Sequence, residues 1–355
     1  MAKLSRRQFL SRTVAGSFGI AAAAGPLLHL YGEETPFAWT ARKPVNPSID
    51  NLRVVCGHNP VMIGGDPKSW EIADQCAVVV ASEVERTLDA MAVSLTQKSA
   101  LVEAWQTIFR KPASKSWNAV KAAIKVNCNA KNCPRVAVIN KICKELNALG
   151  VQFGNIIIYD GRSTAKPFYA PFVGRGLPAG VVVSDKNDAL GGAVKAPVPL
   201  SKPKNYTCTR AIADGSVDIL INIAVNKGAD EKFGSTTLTL KNHAGTFEPM
   251  PLHIGGGMDY LLAFNKSGAI VGGDPVRQQL CIVDTLWGAL KGPFGVPDKR
   301  LDRLVMGTFS PAVDYLTAVK IREPLLNAKH KNISRFLADF GYRENEIGDL
   351  IMASL

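Results

Sequence analysis

Between Asp218 and Val225 the chain reads DILINIAV, with isoleucine at three alternate positions, 219, 221 and 223. A short, unbroken apolar run is the mark of a strand covered on both faces. Such a strand commits a chain to layers, with helices packed over a sheet. The reading ends the strand at Asn226, Lys227 and Gly228, where the chain turns.

A second segment fixes the layer type. Ala119–Asn127 (AVKAAIKVN) predicts a strand, PRVAVINKICKELNALG over 134–150 a helix opened by proline and closed by glycine, and Asn155–Tyr159 (NIIIY) a buried strand. Strand, helix, strand is a β-α-β unit, so the two strands run parallel. Further strands are expected at Leu52–Cys56, Gly180–Ser184 and Arg303–Thr308. Helices are expected over Ser82–Leu95, with Ser82 as N-cap and Glu85 completing a capping box, over Ser99–Phe109, and from Ser310-Pro311 onward. Asp274-Pro275 opens another predicted helix, whose buried face is Val276, Leu280, Val283 and Trp287. The tail from Asn332 reads as two short amphipathic helices. The fold class is α/β, a mostly parallel or mixed sheet flanked by helices in Rossmann-like layers. The expected division is 1–30 a leader, 31–50 a linker and 51–355 one large domain.

In open parallel sheets ligands collect beyond the carboxyl ends of the strands. Three predicted strand ends carry polar groups there: Asn127 beside Lys125, Asp160, and Asn226 with Lys227. The segment TTLTLKNHAG then supplies Lys241, Asn242 and His243 together. Taken singly, Lys227 and Lys241 read as solvated loop lysines, because lysine is mostly exposed. Taken together, the ammonium groups would hold a carboxylate or phosphate, and the amides of Asn127, Asn226 and Asn242 would orient it. Lys241, His243 and Asp160 are the candidate catalytic groups, with His243 as the acid–base residue. Lys125, Asn127, Asn226, Lys227 and Asn242 are the candidate substrate-binding groups. Asp284, beside the buried face of its predicted helix, must pair or point into a cleft. Asp314 falls in the first turn of a predicted helix, where it favours the dipole. Both are candidates to orient His243 or to hold a divalent metal. Gly292–Gly295 (GPFG) is a loop whose backbone is free to approach a ligand. LHIGGGM over 252–258 lacks the spacing and context of a dinucleotide fingerprint.

The 355 residues carry a formal charge of +12. No dense basic run occurs and aromatics are 7% of the chain, which argues against nucleic-acid binding and for steering of anionic ligands or contact with an anionic envelope surface. None of the seven cysteines forms Cys-x-x-Cys, so no ferredoxin-type iron–sulfur motif is present. Cys128 and Cys133 (CNAKNC) have three roles open: a loop disulfide, two free thiols, or part of a metal site. Cys143 and Cys281, in helical patterns, read as small core residues.

SRRQFLSRT at Ser5–Thr13 precedes a mild apolar run rich in Ala and Gly, Val14–Leu30. This resembles the twin-arginine export signal, Ser-Arg-Arg-x-Phe-Leu-Lys, with Ser11 in the lysine place. The resemblance implies translocation by the twin-arginine machinery and a periplasmic or otherwise exported protein. Retention as an anchor is the alternative, although the run is short and glycine-rich for a span. Five further segments, AAIKVN (122–127), DILINIAVNKG (218–228), TLTLKNHAG (237–245), VDTLWGALKGPFG (283–295) and RLVMGTFSPAVD (303–314), resemble the bacterial and archaeal family called domain of unknown function 362. Members more often have Lys-Thr-His after the central strand; here Ala229 stands near the place of that histidine. The resemblance implies the fold and the site, and no reaction.

The expectation is an exported enzyme acting on a small anionic, possibly redox-linked substrate, with its cofactor unknown. The alternative is a non-catalytic envelope protein that binds a ligand or assembles with electron-transfer machinery. That protein would engage a redox partner or self-associate.

Overall fold

The computed structural model describes residues 41–355 except 130, 162–164, 186–187 and 293. The twin-arginine-like leader and the first ten residues of the expected linker therefore lie outside the described residues. Within 41–50, Val45 and Asn46 are buried, and the Asn46 amide donates to the Thr107 carbonyl at 2.8 Å.

The strands are β1 (Val55–His58), β2 (Ala122–Val126), β3 (Ile156–Tyr159), β4 (Val182–Ser184), β5 (Ala193–Val198), β6 (Lys204–Thr209), β7 (Ile219–Gly228), β8 (Thr236–Thr237), β9 (Gln278–Ala289), β10 (Lys299–Gly307) and β11 (Ile351–Met352). Nine of them form one mixed sheet in the order β11-β1-β10-β9-β7-β2-β3-β4, with β8 beside the end of β7; β5 and β6 pair separately. From β9 to β4 all pairings are parallel, while β10 is antiparallel to both its neighbours. The protein is thus an α/β fold with a mixed, mostly parallel sheet.

The alternation of side chains along the strands divides the core in two. Ile219, Ile221 and Ile223 of β7 join Ile124, Ile158 and Ile282 on one face. That face is covered by α1 (Ala81–Thr96), α2 (Leu101–Ile108) and α3 (Val136–Ala148), whose Leu88, Trp105 and Ile142 pack into it. On the other face Leu220, Ala123 and Val283 meet α4 (Thr239–Asn242), α5 (Gly257–Asn265) and α6 (Ser310–Thr317) through Leu240, Phe264 and Val313.

Four sequence expectations change. The segment predicted as a helix from Pro275 is the twelve-residue strand β9, every residue of it buried. Val276, Leu280, Val283 and Trp287 satisfy helical spacing, but Cys281, Ile282, Thr285 and Leu286 between them are buried too. The run is buried all round because it lies mid-sheet, between β7 and β10. Cys281 is accordingly a strand residue. β7 continues through Asn226, Lys227 and Gly228 instead of turning there. Helix α1 is entered from Val80 without a side-chain cap, so the expected Ser82 box is absent. The tail contains one α-helical turn, Arg335–Ala338, a 3-10 turn, Glu344–Glu346, and then β11, which pairs in parallel with β1 at the sheet edge.

Candidate functional site

Beyond the carboxyl ends of β2, β3 and β7 lies a cavity of about 400 Å³. Asn127, Asp160, Lys227, Lys241 and Asn242 line it, as do Cys128, Thr237, His253 and Phe294. Two main-chain contacts join its walls. A Cβ on Gly161 would overlap the carbonyl of Gly245, and one on Gly292 would overlap the carbonyl of Gly228. The first contact presses the end of β3 against the turn after α4. The second presses the loop carrying Phe294 against the end of β7. The Asn132 amide, donating to the Gly295 carbonyl, ties that loop to the segment after β2.

Lys227 enters from β7 where the β7–β9 register shifts, between Val225 and Lys227. A register shift re-aims a side chain at a strand end. Lys227 is 2% exposed, and among the described residues its ammonium has neither hydrogen bond nor ion pair, while its carbonyl accepts from the Thr236 hydroxyl at 3.3 Å. Burial lowers its pKa to about 8, with the charge of Lys241 adding to the shift and that of Asp160 opposing it. Lys241, on α4, stands over the Phe233 ring with its ammonium 4.6 Å from the centroid. Burial lowers its pKa to about 8 as well. A third donor faces the same space. The Asn127 oxygen accepts from the Val225 amide at 3.1 Å, which leaves its NH2 without a partner.

Lys125 differs from these two lysines. Its ammonium donates to the Val126 carbonyl (2.7 Å), Asp160 Oδ1 (3.0 Å) and Asn242 Oδ1 (3.2 Å), so all three N–H bonds are spoken for. Asp160 Oδ2 accepts the Cys128 amide at 2.8 Å. Lys125 is therefore a brace behind the cavity rather than one of its free donors, and Asp160 is its counter-ion in the wall. Asn242 is also committed: its NH2 donates to Asn222 Oδ1 (2.8 Å) and to the carbonyls of Lys125 and Ile223.

His243 does not line the cavity. It is fully buried, with Nε2 2.7 Å from Gln278 Oε1 and Nδ1 3.2 Å from Thr246 Oγ1. Gln278 Oε1 also accepts from Asn222, so it is an acceptor only, and the histidine carries its proton on Nε2. Burial lowers its pKa to about 3. The expected acid–base role fails on both position and protonation; His243 fastens α4 to β9.

Asn226 points away from Lys227, as adjacent strand residues do, and its oxygen accepts from Arg322. It lies outside the cavity. Neither further aspartate is placed as a metal ligand. Asp284, on β9, accepts the Arg135 amide (2.7 Å) at the start of α3 and pairs with the Arg135 guanidinium (3.3 Å). Asp314 is the fifth residue of α6, not in its first turn. It accepts from the amides of Thr239 (2.8 Å) and Leu240 (2.7 Å) and from the Thr239 hydroxyl (2.5 Å), capping α4 instead of its own helix. Among the described residues no group of three or more His, Cys, Asp or Glu side chains is placed to hold a metal ion.

No disulfide joins Cys128 and Cys133, which flank a tight turn in which Asn129 and Asn132 exchange backbone hydrogen bonds. Burial raises the Cys128 thiol well above its ordinary value, with Cys133 beside it adding to the shift.

His253, Thr237 and Phe294 were not singled out from the sequence as site residues. The legible signal was glycine. Asp160-Gly161, Lys227-Gly228, the Lys241–Gly245 turn and Lys291-Gly292 each put a glycine within four residues of a cavity wall. Against known proteins, the chain matches no family model, no curated protein and no solved structure.

Proposed function

We propose that this is an exported enzyme whose cavity binds a small molecule through a carboxylate or phosphate group. Lys227 and Lys241 hold the anion, Asn127 NH2 orients it, and Lys227, poised near neutrality, exchanges a proton with it. One observation carries the reading: Lys227 is a buried ammonium facing an open cavity, with no ion pair of its own among the described residues. Burying a charge is costly unless it is paired, and a bound anion supplies the pair. Beside it, Lys125 has its counter-ion built in, so the unpaired state of Lys227 is specific to the cavity. The twin-arginine-like leader and the resemblance to domain of unknown function 362 are part of the same proposal. The leader supports export and the family resemblance supports the site, and neither names a substrate.

Isothermal titration with inorganic phosphate and with short carboxylates tests the binding step. Wild-type protein should bind one of these classes, and Lys227→Met should lose the heat signal while keeping its circular-dichroism spectrum. Equal affinity in wild type and variant would remove this centre.

A further inference from the structure

The donors at the cavity floor account for an anion and leave the mouth unexplained. Two loops form that mouth. One supplies Pro249 and His253 to the lining, and the other supplies Phe294. The same loops carry Met250, Ile254, Leu290 and Val296. With Phe294 these are five of the eleven large apolar side chains exposed among the described residues. Phe294 is 71% exposed, Ile254 72% and Met250 56%. Scattered exposed apolar residues are ordinary, but a concentration around one opening marks a site. Nothing in the folded chain needs Phe294 there, yet the Gly228–Gly292 contact pins its loop against β7.

We propose that the ligand is an anionic amphiphile, with its charged head on Lys227 and Lys241 and its apolar chain or ring leaving between Phe294 and Ile254. This rests on the anion-binding reading and extends it to the rest of the molecule. Head and tail are recognised by different residues, so the two parts separate experimentally.

The test is a titration series of inorganic phosphate, butyl phosphate and octyl phosphate, kept below micelle formation, with wild type, Phe294→Ser, Ile254→Ser and Lys227→Met. Wild type should bind each added methylene about threefold to fourfold more tightly until the chain clears the mouth. Ile254→Ser, altered at an exposed position outside the cavity lining, should bind phosphate as wild type does, and both serine variants should lose most of the chain-length gain. Lys227→Met should lose all three ligands. An affinity independent of chain length, with Lys227-dependent phosphate binding retained, overturns the amphiphile and spares the anion site. Failure of wild type to bind either inorganic phosphate or short carboxylates would overturn the anion reading instead. Co-sedimentation with phosphatidic-acid vesicles that needs Phe294, without saturable binding of octyl phosphate, would make the mouth a membrane contact and also overturn the proposal.

Discussion

An ammonium held in a protein interior without a partner pulls its own protonation equilibrium toward the neutral amine. Lys227 is in that position, and the sign of the consequence is fixed. The unfolded lysine keeps its proton to about 10.5, whereas the folded one gives it up near 8. Between those values the unfolded chain binds more protons, so from this residue stability rises as pH is raised from about 8 to 10.5. Anion affinity moves the opposite way, falling as pH rises through about 8, and titration calorimetry across that range checks it. Lys227→Met, which removes the unpaired charge, should raise stability near neutral pH by on the order of 2 kcal/mol in urea melts while abolishing binding. That pairing of effects marks a residue kept for a ligand. His243 gives a third check. It is neutral in the fold down to about 3 and would charge near 6.5 when unfolded, so its contribution is present above 6.5 and lost as pH falls through about 3. The loss is on the order of 4 kcal/mol, read from acid unfolding. Sequence spacing picked out Lys227, Lys241, Asn127 and Asp160, because residue type and a strand end are local facts. It could not separate Lys241 from its neighbours Asn242 and His243. Which of three adjacent side chains faces a cavity depends on how α4 rests against β7 and β9, and those contacts reach Asn222 and Gln278.

At the scale of elements, three aspartates do the same kind of work on three different segments. Asp314 caps α4, Asp284 takes the amide at the head of α3, and Asp160 takes the first amide of the Cys128 turn. Each reaches across the fold, which is why pattern within a helix misread Asp314 as a partner of its own dipole. Asp314→Ala leaves two buried amides and a hydroxyl unpaired, so it should cost about 2–4 kcal/mol and, by loosening α4, weaken anion binding through Lys241. Asp314→Asn, which keeps an acceptor, should restore part of both. The strand β9 was misread for a related reason: a segment buried on every side has no exposed face to reveal its period. The β-α-β unit was legible because α3 has a polar face and Pro134 stands just before its Arg135 N-cap. The turn between Cys128 and Cys133 sets the two thiols opposite one another, one step beyond the Asn129–Asn132 pair. Antiparallel neighbours of this kind lie about 4.5–5.5 Å apart at Cα, within the range of a disulfide. Mild oxidation should therefore link them, seen as a single cross-linked peptide under non-reducing digestion.

At the scale of the whole molecule, the sheet has two edges, and only one is finished by the tail. β11 lies beside β1, and Arg42 grips Glu346 near the same corner. Removing residues 349–355 would bare the backbone of β1, an open template for another chain. The shortened protein should remain folded and associate in a concentration-dependent way on sizing, whereas the full chain should not show that dependence through this edge.

The two glycine contacts, Gly161 with Gly245 and Gly228 with Gly292, have a larger consequence. Where side chains meet, a cavity can stretch by changing rotamers. Here backbone rests on backbone, and there is nothing to rotate. The floor is a casting of fixed gauge, so a bulkier head group is refused however well its charge matches. Any change in what this fold accepts must come through the mouth loops, while the seams beneath them stay as they are.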